Sequence, residues 1–332
     1  MEYTNLGKTG LKVSRFCLGT LDFGRRLDEA RAIDVVKSAI SEGVNFIDTA
    51  NLYGKEDFFN PHDMAGIGRS EEITGKAIKG NRHSIVLATK LHAKVGPGIN
   101  DGGLSRRHIM MAIDDSLRRL QTDFVDIYYA HSPDYDTPME ETVRAMDDLV
   151  RQGKVRYVAV SNYHAWQLCK TLWISDRYNL ARADCIQIPY NLIARSPESE
   201  MLPLCASENV GVTVWAPLAG GMLSGTYDRY NPDQPPPEGV KTYPGLWTAA
   251  NFEAITRLKE IAGGHGHGLA HFALAWILNN PSVTSVVCGV ESVEQLNENL
   301  GAIEIRLSEA ELSACDEVWR ELSPAPNMFY GR

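Results

Sequence analysis

The chain has 332 residues, 44% of them hydrophobic and 23% charged, an ordinary globular balance with length enough for a large core. A net charge of -9 disfavours phosphate backbones, and no apolar run approaches the length of a bilayer, so nucleic-acid and membrane partners are excluded as leading readings. Six scattered cysteines without a CxxC pair, and an N-terminus lacking a basic region followed by an apolar one, suit reduced thiols in a cytoplasmic protein.

Residues 3–6 and 11–13 flank the turn Gly7-Lys8-Thr9-Gly10 and predict a hairpin. A strand at 15–19 follows, and from there strands and helices alternate. Ala32, Val35, Val36, Ala39 and Ile40 give helical spacing over 28–42. The second strand runs Asn45-Phe46-Ile47-Asp48 and opens into Thr49-Ala50-Asn51-Leu52-Tyr53-Gly54. A helix is predicted over 70–79, a third strand ending at Lys90, and a helix over 105–120 with Ser105 as N-cap. The fourth strand ends at His131. Pro138 starts a helix that Gly153 stops; residues 155–161 form the fifth strand. Trp166, Leu168, Cys169 and Leu172 line a further helix, before a sixth strand at 185–190, a short helix at 198–208 and a seventh strand at 211–215. Residues 216–250 read as a long irregular segment rich in Gly, Pro and Tyr, of the kind that usually serves function. Helices near 251–262 and 268–279, a strand at 283–288, and helices at 292–300 and 308–322 complete the pattern.

Eight strands, each followed by a helix, predict an α/β closed parallel barrel, a (β/α)8 TIM barrel with an N-terminal hairpin and extra helices, formed by residues 1–332 as a single domain. The rival open dinucleotide-binding sheet wants GxGxxG after its first strand, and Gly19-Thr20-Leu21-Asp22-Phe23-Gly24 does not fit. A parallel barrel would gather the polar ends of strands two to four on one rim: Asp48, Tyr53, Lys90 and His131. A carbonyl's proton donor works best with a pKa near working pH, whereas a free phenol sits at roughly 10. A lysine close to Tyr53 would lower that value, a carboxylate would fix the lysine, and His131 would orient the substrate oxygen. Singly, Lys90 reads as a solvated strand end, Asp48 as a helix cap and His131 as a loop hydrogen-bonder. Their order at successive strand ends favours catalysis.

That order resembles the aldo-keto reductase superfamily. So do Gly43-Val44-Asn45-Phe46-Ile47-Asp48-Thr49-Ala50, Gly153-Lys154-Val155-Arg156-Tyr157, Ser161-Asn162, Gln187-Ile188-Pro189-Tyr190-Asn191 and Trp215-Ala216-Pro217-Leu218. The resemblance covers nearly the whole chain. It implies an NAD(P)H-dependent oxidoreductase in which hydride passes between nicotinamide C4 and an aldehyde or ketone, with Tyr53 as general acid. It implies that Ser161, Asn162 and Gln187 hold the nicotinamide amide and that Trp215 stacks on the ring. Residues 217–227, including Pro217, Leu218, Gly221, Leu223 and Thr226, would embrace the pyrophosphate. Gly289, Val290, Glu291, Ser292, Gln295, Glu298 and Asn299 would meet the adenosine end. NADP(H) is the family's expected cofactor. Thr226 and Glu291 stand where relatives often carry groups that favour the 2′-phosphate, so use of NAD(H) is also expected.

An insert at 55–68 would lie beside the catalytic phenol. Its Phe58 and Phe59, with Phe23, Trp247, Phe329 and Tyr330, suggest an apolar lid for a bulky small-molecule carbonyl substrate. The alternatives are a nicotinamide-nucleotide-sensing accessory protein with little turnover and a metal-dependent barrel enzyme. For the latter the first strand offers no HxH, and His267 and His271 lack the glutamate of HExxH, so no metal is expected. Trp166, Trp276 and Trp319 read as packing residues.

Overall fold

A computed structural model describes residues 1–322 except 58, 59, 61, 228, 242–244 and 265. The chain separates into two compact units. The first comprises residues 1–188, 199–215 and 282–297, and the second the remainder.

In the first unit, β1 (Tyr3–Asn5) and β2 (Lys12–Ser14) pair antiparallel as the expected hairpin. The strands β3 (Phe16–Gly19), β4 (Phe46–Asp48), β5 (Val86–Leu91), β6 (Val125–Ala130), β7 (Val155–Ser161), β8 (Ala183–Pro189), β9 (Gly211–Trp215) and β10 (Ser285–Gly289) close a barrel in chain order, with β10 returning to β3. Six are buried along their length apart from one residue or none, which is why they read as apolar runs without alternation. The hairpin covers one end: Leu6 and Val13 are fully buried in a cluster with Cys17, Phe46, Ile127, Tyr129 and Cys185. Gly7 makes this close approach possible. Its φ is +55°, and a Cβ there would sit 2.6 Å from the Asn209 carbonyl oxygen and the Gly211 nitrogen.

The helices of this unit are α1 (Glu29–Ser41), α2 (Arg69–Ala77), α3 (Arg106–Leu120), α4 (Met139–Arg151), α5 (Ala165–Tyr178) and α6 (Met201–Glu208). Ser105 caps α3 by accepting from the His108 amide at 3.3 Å, and Asp28 caps α1 in the same way from Arg31 at 3.0 Å. The α5 stripe matches expectation at Leu168 and Leu172 and departs from it at Trp166 and Cys169. Leu168, Thr171, Leu172 and Ser175 face inward, leaving Trp166 at 59% exposure and Cys169 exposed.

The second unit carries α7 (Glu238–Lys241), α8 (Ala249–Gly264) and α9 (Leu269–Asn279). α10 (Val293–Gly301) begins in the first unit and α11 (Glu309–Leu322) follows in the second. The segment read as irregular over 216–250 contains α7 and a 3-10 turn at Ala219–Ser224, in which Gly220 and Gly221 take positive φ. Trp276 is buried against Tyr190, with ring centroids 5.0 Å apart, as a packing residue should be.

Candidate active site

Strand register sets the site in the first unit. Asp48 ends β4 opposite Gly19 and Ala88, Lys90 pairs with Tyr129 one residue before β5 ends, and His131 follows the last residue of β6. Tyr53 sits in the turn after β4, where its amide donates to the Ala50 carbonyl at 3.0 Å. The four side chains expected at the rim converge. Lys90 Nζ donates to Asp48 Oδ2, to the Thr49 carbonyl at 2.9 Å and to the Tyr53 hydroxyl at 3.2 Å. Lys90 is 0% exposed and Asp48 1%. The His131 ring meets the edge of Tyr53 at a centroid distance of 5.9 Å, and its own amide donates to the Leu91 carbonyl.

The charge state follows from an inventory of hydrogens. An ammonium has three, and three acceptors surround Nζ. Asp48 and Tyr53 hold Lys90 above its ordinary pKa against the opposing pull of burial, so it remains charged. Burial pushes Asp48 upward, while Lys90 and Gln187 oppose it. Because all of its contacts are with donors, we take it as the carboxylate. The phenol corrects an expectation. Burial raises the Tyr53 pKa further than Lys90 lowers it, so the hydroxyl keeps its proton well past neutrality. Burial, then Lys90, drives His131 well below the ordinary histidine value and keeps it neutral.

A polar network extends from these groups. Gln187 Nε2 donates to Asp48 Oδ1 at 3.1 Å, a contact that the sequence did not signal. Ser161 Oγ donates to the Gln187 carbonyl at 3.0 Å. Asn162, with φ at +60°, donates through Nδ2 to the His131 carbonyl at 2.9 Å and to Ser161 Oγ at 3.1 Å. Its Oδ1 accepts from Trp215 Nε1 at 3.0 Å. Behind Asp48, the buried hydroxyls of Thr49, Ser70 and Thr20 lead to the Asp48 main-chain carbonyl. Gln187 therefore meets Asp48 directly and Asn162 the His131 main chain, while Ser161 and Trp215 join the cluster through these two.

The other expected residues are more dispersed. Gly289 ends β10, Val290, Glu291 and Ser292 form the turn into α10, and Gln295 in the first turn of α10 accepts through Oε1 from the Glu291 amide at 2.7 Å. Pro217, Leu218, Gly221, Leu223 and Thr226 lie in the second unit around its 3-10 turn, Thr226 exposed and bonded to Ser224 Oγ. Glu298 and the buried Asn299 also belong to that unit. Phe23 is fully buried in the turn after β3; Trp247, in the second unit, packs edge-on against Tyr227 and Phe252. Phe58, Phe59, Phe329 and Tyr330 lie outside the described residues. Among the described residues no group of three or more His, Cys, Asp and Glu side chains could hold a metal ion, and no helix is long and apolar enough to cross a membrane.

A closed parallel barrel with an acid, an ammonium, a phenol and an imidazole at one rim defines a class of protein that comparison identifies. The profile of the Aldo/keto reductase family matches residues 15–320, and the chain belongs to that family. It is 38% identical over 314 residues, 92% of each chain, to a probable voltage-gated potassium channel subunit beta from Arabidopsis thaliana. A protein of the same description from Oryza sativa subsp. japonica is 37% identical over the same shares. The uncharacterized oxidoreductase YrpG of Bacillus subtilis (strain 168) is 35% identical over 334 residues, 96% of each chain.

Proposed function

We propose that this chain is an NAD(P)H-dependent oxidoreductase that interconverts a small-molecule aldehyde or ketone with its alcohol, and that Tyr53 is its general acid in reduction and general base in the reverse direction. The observation that carries the reading is Lys90 Nζ lying between Asp48 and the Tyr53 hydroxyl. The Tyr53 oxygen accepts from Lys90, so its own hydrogen remains available for a carbonyl oxygen. Neutral His131 supplies a second contact for that oxygen and fixes its direction. The Lys90 charge stabilises the negative charge that develops there, in a site where little water screens it.

The nicotinamide group fits the residues present. The hydrogens of Ser161 Oγ and Asn162 Nδ2 are committed within the protein. A lone pair on Asn162 Oδ1 and the Gln187 Oε1 atom remain as acceptors, which suits the amino group of a carboxamide. Trp215, tied to Asn162, would cover the ring. When bound, the cofactor supplies or takes up the hydride. Residues 217–227 are carried as pyrophosphate contacts, and 289–292, Gln295, Glu298 and Asn299 as contacts of the adenosine end. The family generally uses NAD(P)H. Glu291 and Thr226 favour acceptance of NADH here, which Michaelis constants for the two cofactors test; a strong NADPH preference rejects it. We place the protein in the cytoplasm and treat both units as one domain, since the family match runs across them.

Tyr53→Phe tests the central assignment. It should bind cofactor with unchanged affinity and lose at least about a hundredfold in turnover; near-normal rates would reject the role. The second reading, a nucleotide-sensing accessory subunit, is favoured by the descriptions of two relatives. Repeated turnover over a panel of carbonyls supports the enzyme; a single slow turnover without release supports the sensor.

A further inference from the structure

The adenosine end of the cofactor, on the reading above, meets the turn after β10, where Glu291 argues against a 2′-phosphate. The segment between β3 and α1, together with the first turn of α1, brings two guanidinium groups to that residue. Arg26 Nη1 lies 3.3 Å from Glu291 Oε1, and Arg31 Nη2 donates to the Glu291 main-chain carbonyl at 3.0 Å. The Glu291 amide is held on its other side by Gln295 Oε1, and the Gln295 amide by Ser292 Oγ at 3.2 Å. The root of the carboxylate is therefore fixed at both ends. Arg26 is in turn steadied by Asp22, at 3.7 Å from its Nε. The pair is accessible, with Arg26 at 38% and Glu291 at 56% side-chain exposure.

We propose that Arg26 and Arg31 belong to the same subsite as Glu291, and that the Arg26–Glu291 pair decides between coenzymes with and without a 2′-phosphate. This inference rests on the nucleotide-binding reading and extends it to residues outside the turn after β10. A ribose 2′-hydroxyl can donate to Glu291 while Arg26 stays in place, because a carboxylate accepts several hydrogen bonds at once. A phosphate monoester competes with the carboxylate for Arg26 and is repelled by Glu291 while the acid stands beside it. The pair acts as a gate that opens for a phosphate when the acid is removed. Arg31 acts on the main chain and sets where the carboxylate stands.

The test is a double-mutant cycle on the full chain. Dissociation constants for 2′,5′-ADP and 5′-AMP, and for NADP+ and NAD+, are measured by calorimetry in wild type, Glu291→Gln, Arg26→Gln and the double variant. Glu291→Gln should strengthen the phosphorylated ligand relative to its partner by about tenfold, the worth of one charge-assisted hydrogen bond. The double variant should lose that gain. Equal shifts for both ligands, or a gain that survives without Arg26, overturn the proposal. Failure of the wild type to bind either dinucleotide removes the nucleotide reading itself, and this inference with it.

Discussion

Lys90 shows how a buried charge is tolerated inside a barrel. Its ammonium has no exposure to water, and three acceptors replace the water it lost. Removing one member of a buried pair strands the other, at a cost of about 3–5 kcal/mol, whereas replacing both is far milder. Asp48→Asn and Lys90→Met should each lower the unfolding free energy by that order. The double variant should regain much of the loss without regaining turnover, as denaturant titration and steady-state rates together would reveal. Full additivity of the two stability losses would mean that the pair is not coupled. The sequence made the four rim residues readable because each stands at or just past the end of an apolar strand. It left unreadable the Thr49 carbonyl under Lys90 and the Gln187 amide on Asp48. A main-chain acceptor carries no residue signature, and a glutamine 139 positions away meets Asp48 only once the barrel closes.

Among the elements, the insert after Tyr53 is closed at its base by two glycines. Gly54 and Gly66 both have positive φ, and a Cβ on Gly66 would lie 2.1 Å from the Gly54 carbonyl oxygen. Gly80 also has positive φ, but open space surrounds it. Gly66→Ala should therefore cost more than Gly80→Ala, which bears only the left-handed penalty of about 1 kcal/mol. Thermal melts should separate the two, with Gly66→Ala also raising the Michaelis constant for the carbonyl, since the insert's base adjoins Tyr53. Equal melting temperatures would show that the base is pliable. Strands and helix cores were legible from periodicity, but α5 only in part, at Leu168 and Leu172. Thr171 and Ser175 complete its inward stripe but are polar, whereas the apolar Trp166 and Cys169 lie outward, so hydrophobic spacing alone named two residues of the wrong face. In 216–250 the two short helical turns escaped notice because neither is long enough to show a period.

At the scale of the whole molecule, buried ionisable groups set the pH range of stability. Burial holds His92, His108 and His131 below the ordinary histidine pKa. The folded state then binds fewer protons than the unfolded chain, so stability is present above about pH 6.5 and declines as pH falls through and below that value. Burial pushes the thiols of Cys185, Cys205, Cys288 and Cys315 up to about 12. Tyr53, Tyr128 and Tyr129 are raised as well. These groups stay neutral in the fold, so their contribution is lost as pH rises above about 8.5 for the thiols and about 10 for the phenols. Melting temperature should peak between about pH 6.5 and about pH 8.5. A maximum near pH 5 would contradict this account.

The hairpin that seats Leu6 and Val13 beneath the strands has a kinetic meaning. On the proposed reading, with that end stoppered among the described residues, anything admitted at the rim of Asp48 and Lys90 retreats the way it came. Molecules that share one doorway queue: the last to arrive must depart before the one behind it is freed. Product-inhibition patterns should accordingly reveal a compulsory sequence of arrivals and departures.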